Sequence, residues 1–326
     1  MDKFLIQLKR DPSVELNCTF YASPGQSSPR NTLVVCLGGI DNPQSIWEQT
    51  ITHFLHGIGL PTPPPILTYD RPGIEKFNRT KPAVSERAKG QGRDCLDAAH
   101  DLRDVISQVA KLRLGVNESD IDNLRIVFVA LSVGVAIARL YCAEYPKTVS
   151  GFLILDSTIA NLDTDDMLPD PRAPGFVQSD LTAGITVEVL EEARKIFARV
   201  YGIHARNREG LYRGNVPSLL PYSDSPKLEG PGSRTPYVTV VVHDTLTAAS
   251  QSKHLFGFPE IVSIHLDPVW HQYHSGLARL TKSCLSKGPV EAKGCGHLIP
   301  KDGPQLVADE LREILDKLVN NEATHI

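Results

Sequence analysis

A serine, a histidine and an aspartate in this chain stand where together they could transfer an acyl group. The serine is Ser132, within Ile126-Val127-Phe128-Val129-Ala130-Leu131-Ser132-Val133-Gly134-Val135-Ala136. An apolar, β-branched run feeds a small-x-Ser-x-small pattern, and an alanine-rich helical pattern follows at once. Such a sequence turns sharply from strand to helix and leaves the serine exposed in a strained backbone conformation, a nucleophile elbow. Ala130 and Gly134 are small enough for the two backbones to approach each other. The N–H of Val133, at the start of the new helix, is aimed at developing negative charge. A serine hydroxyl is a weak nucleophile until a base takes its proton. His297 is the candidate base, in Lys293-Gly294-Cys295-Gly296-His297-Leu298, where preceding glycines let the ring project from an irregular loop. Further along the same loop, Asp302 is expected to cap the final helix. A carboxylate must hold the histidine in the right tautomer, and Asp156, Asp244 and Asp267 are the candidates.

These residues need a scaffold, and the hydrophobic pattern supplies one. Phe4–Leu8 and Glu15–Tyr21 read as an opening hairpin near a sheet edge. Thr32–Leu37, Pro65–Tyr69, the run before Ser132, Ser150–Leu155, Tyr237–Val242 and Pro289–Ala292 read as buried strands. Helical patterns lie between them: Ser45 to about His56, Asp94 to about Leu114, Ala248–Phe256, Trp270 to about Ser283, and Gly303 to about Val319. Strands alternating with helices imply a mainly parallel sheet covered on both faces. Catalytic groups in such sheets gather at the carboxyl ends of the strands. After Asp156 the texture changes to Pro, Asp, Gly and Ser, with one clear helix from about Val187 to Tyr201. Residues 157–235 are therefore read as an inserted lid, and residues 1–156 and 236–326 as the core.

The bulk properties narrow the class. A chain of 326 residues can bury one large α/β core. A net charge of −4 without basic runs offers no footprint for nucleic acid or an acidic membrane surface. The amino terminus resembles neither a signal peptide nor a membrane span. The six cysteines show no metal-ligand spacing, so reduced thiols and a cytoplasmic location are expected. The sequons at Asn17, Asn78 and Asn117 then carry no weight. His265, Asp267, His271 and His274 cluster in sequence, but no metal is expected. Arg71 is read as one half of a structural loop ion pair.

Taken together, Gly38-Gly39 after a buried strand, Tyr69-Asp70-Arg71-Pro72-Gly73, Ala130-Leu131-Ser132-Val133-Gly134, Leu153-Ile154-Leu155-Asp156 and Gly296-His297-Leu298 resemble, in order, the α/β-hydrolase superfamily. The resemblance implies an α/β-hydrolase fold: an eight-stranded, mainly parallel sheet with helices on both faces and a lid. It implies an oxyanion hole from two backbone N–H groups, that of Val133 and that of Gly39 or Ile40. This chain has Leu37-Gly38 where the family often has His-Gly, which leaves those backbone donors in place. The family's usual acid position falls on Thr247, which cannot serve. Asp156, at the end of the strand after the elbow helix, is placed similarly to the glutamate of zearalenone-type lactone hydrolases. The resemblance thus implies hydrolysis of an ester or lactone in a medium-sized apolar molecule by Ser132, His297 and Asp156. Gly38, Ile40, Leu131 and Trp270 would line the substrate. The partner expected is a small molecule, without cofactor, nucleic acid or membrane, and a homodimer stays open. The same scaffold also hosts lyases, cyclases and ligand-binding members. Epoxide and haloalkane hydrolysis are disfavoured, because such members carry aspartate at the elbow.

Overall fold

The computed structural model describes residues 1–23, 32–57, 62–74, 92–162 and 167–323; the sequon at Asn78 lies outside them. In chain order the strands are β1 (Asp2–Gln7), β2 (Glu15–Tyr21), β3 (Thr32–Leu37), β4 (Ile66–Tyr69), β5 (Arg125–Leu131), β6 (Val149–Leu155), β7 (Tyr237–His243) and β8 (Ser286–Ala292). The helices are α1 (Glu48–His56), α2 (Cys95–Val109), α3 (Val133–Glu144), α4 (Val187–Val200), α5 (Val216–Leu219), α6 (Thr245–Phe256), α7 (Glu260–Leu277), α8 (Ile299–Asp302) and α9 (Pro304–Ala323). The strands form one eight-stranded sheet in the order β1-β2-β4-β3-β5-β6-β7-β8. β1, β2 and β4 pair antiparallel at one edge, and all the remaining pairings are parallel.

The central strands are apolar throughout because both their faces are covered. Successive side chains point to opposite faces of a strand. Leu33, Val35 and Leu37 of β3, with Ile126, Phe128 and Ala130 of β5, accordingly pack beneath α2 and α3. The residues between them, Val34, Cys36, Val127, Val129 and Leu131, pack with α1 and α9 through Ile51, Phe54, Val307 and Leu311, and with Trp47 just before α1. α3 is buried on nearly every side from Val133 to Cys142, which is why it carries no charge there except Arg139. The two terminal nitrogens of Arg139 donate to the hydroxyl of Tyr273 and the carbonyls of Tyr222 and Ser225.

A smaller apolar cluster lies outside these two layers. Leu168, Ile185, Leu190, Ala193, Ile196 and Phe197 pack against Phe258, which precedes α7, and Val262 and Leu266 of its first half. The segment at 157–235 thus shares its core with a helix that follows it in sequence.

Among the boundaries that differ from the sequence reading are those at α7, β8 and the last helix. α7 begins at Glu260, ten residues before Trp270, and runs through Pro268. Proline there deprives the Ile264 carbonyl of its helical donor; Ile264 is exposed, so water can take that place. β8 begins at Ser286 rather than Pro289. It is the edge strand, where a proline's missing donor costs no ladder bond. Asp302 does not begin the last helix: it ends α8, and Val307 N–H bonds the carbonyl of Gly303 instead. Cys18, Cys36, Cys95, Cys142 and Cys295 are buried thiols outside any disulfide, and Cys284 is an exposed one. Among the described residues, no helix is long and apolar enough to cross a membrane.

Candidate active site

The carboxyl ends of β5, β6 and β7, with the loop after β8, form a ledge stitched by backbone hydrogen bonds. Ser132 N–H bonds the Leu155 carbonyl at 3.1 Å, Asp156 N–H the Val241 carbonyl at 2.8 Å, and Asp244 N–H the Cys295 carbonyl at 2.8 Å. These bonds bring together residues that lie far apart in sequence. Ser132 has φ 56° and ψ −124°, and Asp156 has φ 38°, both in the left-handed half of backbone space. Non-glycine residues persist there only where the surroundings over-determine them. Around Ser132, the enforcing contact is the approach of α3 to the end of β3. A Cβ on Gly134 would stand 2.6 Å from the Leu37 carbonyl oxygen and 2.8 Å from that of Gly38, so only glycine fits.

Gly39 lies against the serine: a Cβ there would sit 3.0 Å from Ser132 Cβ and 3.5 Å from Oγ. Its loop is gripped from behind by Arg71. The guanidinium donates to the Gly38 carbonyl at 2.8 Å and the Gly39 carbonyl at 2.6 Å, and pairs with Glu209 at 2.6 and 2.7 Å. In a planar trans peptide the C=O and N–H point in opposite directions. Arg71 therefore turns the N–H groups of Gly39 and Ile40 away from itself. Asp41 N–H also donates to Glu209, and Asp41 Oδ1 accepts from the backbone of Arg208 and Glu209. The loop ion pair expected at Arg71 is present, and it joins the segment at 157–235 to the loop beside Ser132.

His297 Nδ1 lies 2.6 Å from Asp156 Oδ2. The carboxylate can only accept, so Nδ1 carries the hydrogen and the neutral ring keeps its lone pair on Nε2. The His297 side chain is 44% exposed, whereas Asp156 is fully buried. Burial opposes the Asp156 charge, but His243 and His297 outweigh it and hold the carboxyl well below the usual range. Two aspartates brace the loop. Asp302 accepts from Gly296 N–H and from Gln251. Asp244 caps α6 at Thr247 N–H and reaches Gly294 N–H at 3.3 Å. Those backbone bonds hold its carboxyl below the usual carboxylate range, and they occupy it away from the His297 ring.

Asp267 bonds His243 rather than His297: Nε2 of His243 lies 2.8 Å from Asp267 Oδ1, while its Nδ1 lies 2.7 Å from Asp156 Oδ1. His243 escaped the sequence reading because a lone histidine at a strand end carries no spacing signal. Only the fold shows that β7 ends between two carboxylates. Of the proposed substrate-lining residues, Leu131 is fully buried on the α1 and α9 face. Alternation along β5 sends its side chain to that face. Ile40 packs at the margin of the α2 and α3 layer, and Trp270 spans the large and small apolar clusters, edge-on to Phe197. His265 is bonded to Thr182, and His274 Nδ1 to the Trp270 carbonyl.

A sheet, an elbow and a carboxylate-bound histidine in this order define a class, and comparison with known proteins agrees. The model of the alpha/beta hydrolase family matches residues 34–310, so the chain belongs to that family. No curated protein matches it. Among solved structures, a thermophilic esterase from Thermogutta terrifontis is similar at 16% identity and a TM-score of 0.50, covering 97% of this chain and 99% of that one. A haloalkane dehalogenase variant from Bradyrhizobium elkanii gives 12% and 0.54, covering 100% and 99%. Epoxide hydrolase VrEH1 from Vigna radiata gives 11% and 0.52, covering 97% and 98%. At these identities the likeness concerns the fold.

Proposed function

We propose that this protein is a serine-dependent hydrolase of an ester or lactone. The observation that carries the reading is the 2.6 Å bond between Asp156 and His297, on the same strand-end ledge as a serine held at φ 56°. Ser132 Oγ attacks the carbonyl carbon while His297 Nε2 takes its proton. The N–H groups of Val133 and Gly39 receive the oxyanion. Collapse expels the alcohol oxygen, which takes the proton from His297, and leaves an acyl-serine. Water then gives a proton to His297 and attacks the ester carbon, releasing the acid and the serine. Asp156 holds Nδ1–H throughout and stabilises the imidazolium.

Serine at the elbow separates this chemistry from that named for two of the structural neighbours. Displacing a halide or opening an epoxide with Ser132 would leave an ether, which the enzyme could not hydrolyse. Attack on a carbonyl leaves an ester, which it can. Residues 157–235 serve as the lid over a bounded apolar pocket, with Trp270 at its edge. A medium-sized ester or lactone suits such a pocket better than a polymer.

A panel of activated esters and lactones tests the reading. Rapid release of the alcohol, about one per enzyme molecule and then slower turnover, is expected from the wild type and absent from Ser132→Ala. Turnover by Ser132→Ala equal to wild type would overturn it.

A further inference from the structure

His243 takes no part in the steps above, yet it is joined to them. Its Nδ1 lies 2.7 Å from Asp156 Oδ1 and its Nε2 lies 2.8 Å from Asp267 Oδ1. The other oxygen of each carboxylate is also met by donors. Asp156 Oδ2 holds His297 at 2.6 Å. Asp267 Oδ2 accepts the Thr245 hydroxyl at 2.6 Å and faces His271 Nε2 at 3.1 Å. A carboxyl is a far stronger acid than an imidazolium, so with a carboxylate oxygen on each nitrogen both His243 nitrogens carry the proton, and the ring is a cation. Alternating partners thus run from His297 through Asp156, His243 and Asp267 to His271.

We propose that His243 is a positioning residue that carries a fixed positive charge behind Asp156 and thereby limits how tightly Asp156 holds a proton on His297. This rests on the hydrolase reading above. An imidazole beside an unshared buried carboxylate binds its proton strongly. Sharing Asp156 with a cation weakens that pull. Burial disfavours charge on His243, but Asp156 and Asp267 prevail and push its pKa up to about 10. The other groups facing this pair do not supply the charge. His274, on α7, approaches Asp156 Oδ1 at 3.9 Å, but its Nδ1–H is spent on the Trp270 carbonyl and burial favours its neutral form. Tyr201, just after α4, is bonded to Ser252, and burial pushes its ionisation up. His271 faces Asp267 rather than Asp156.

Two measurements test this. With ring-¹⁵N histidine, assigned by substituting histidines singly, wild-type His243 should show both nitrogens protonated from about pH 5 to about pH 9. Loss of a ring proton inside that range overturns the proposal without reference to activity. Second, the rate of fluorophosphonate labelling is followed against pH. In folded His243→Gln its acidic limb should move up by about one pH unit, slowing labelling about tenfold below it. An unmoved limb overturns the proposal, whereas lower labelling at every pH with no shift would mean a purely structural role, which also overturns it. Asp267→Asn serves if His243→Gln does not fold: it should bring the His243 titration down towards neutrality, and an unchanged His243 titration overturns the proposal. A wild type that is never labelled at Ser132 refutes the hydrolase reading instead, and leaves the ring measurement standing.

Discussion

At the residue scale, three aspartates near one histidine are separated by what each of their oxygens touches. Asp156 gives one oxygen to His297 and the other to His243, Asp244 caps α6, and Asp267 is held by His243 and Thr245. Asp156→Asn should therefore lower turnover about 10⁴-fold, because the amide stabilises the wrong tautomer and no imidazolium. Asp244→Asn should leave turnover within a few fold and cost about 1 kcal/mol or less in stability, since asparagine also caps. Steady-state kinetics and thermal unfolding of the two variants check this; the reverse ranking would mean that the wrong acid has been chosen. Ser132 and His297 were legible from small-residue and glycine patterning around them. Asp156 was legible only through its place at a strand end. His243 was not legible, because its role depends on two carboxylates brought to it by β6 and α7, and no local pattern encodes that meeting.

At the element scale, the elbow depends on how closely α3 can approach the loop after β3. Gly134 sits where any side chain would meet the backbone oxygens of Leu37 and Gly38. Backbone cannot swing aside as a long side chain can. Gly134→Val should cost about 1–3 kcal/mol or more in thermal stability and slow acylation of Ser132; a variant with wild-type stability and labelling would show that the contact is slack. The strands of the core were readable because burial on both faces makes their sequences continuously apolar. Helix ends were less readable. The start of α7 was obscured by Pro268, which terminates most helices but here falls beside an exposed turn. The start of β8 was obscured by Pro289, which an edge strand tolerates.

At the scale of the whole molecule, the two separated parts of the chain meet at Arg71. Its partner Glu209 comes from the segment expected to be the lid, and both side chains are nearly excluded from solvent, at 5% and 2% exposure. A buried ion pair that loses one charge leaves the other uncompensated, at about 3–5 kcal/mol. Glu209→Gln should lower thermal stability. It should also slow acylation about 10- to 100-fold with little change in KM, because the N–H of Gly39 would lose its aim at the oxyanion rather than its contact with bound substrate. A change confined to KM would place Glu209 in substrate binding instead. The sequence marked Arg71 as a loop salt-bridge residue by its turn context, but could not supply Glu209, which is 138 residues away.

The identity of the nucleophile underlies every proposal above. Its most direct measurement is the intact mass of the protein after exposure to a fluorophosphonate, followed by peptide mapping. One adduct per chain on Ser132, absent from Ser132→Ala, is the expected result. Equal labelling of Ser132→Ala, or an adduct on another residue of the active wild type, would contradict it.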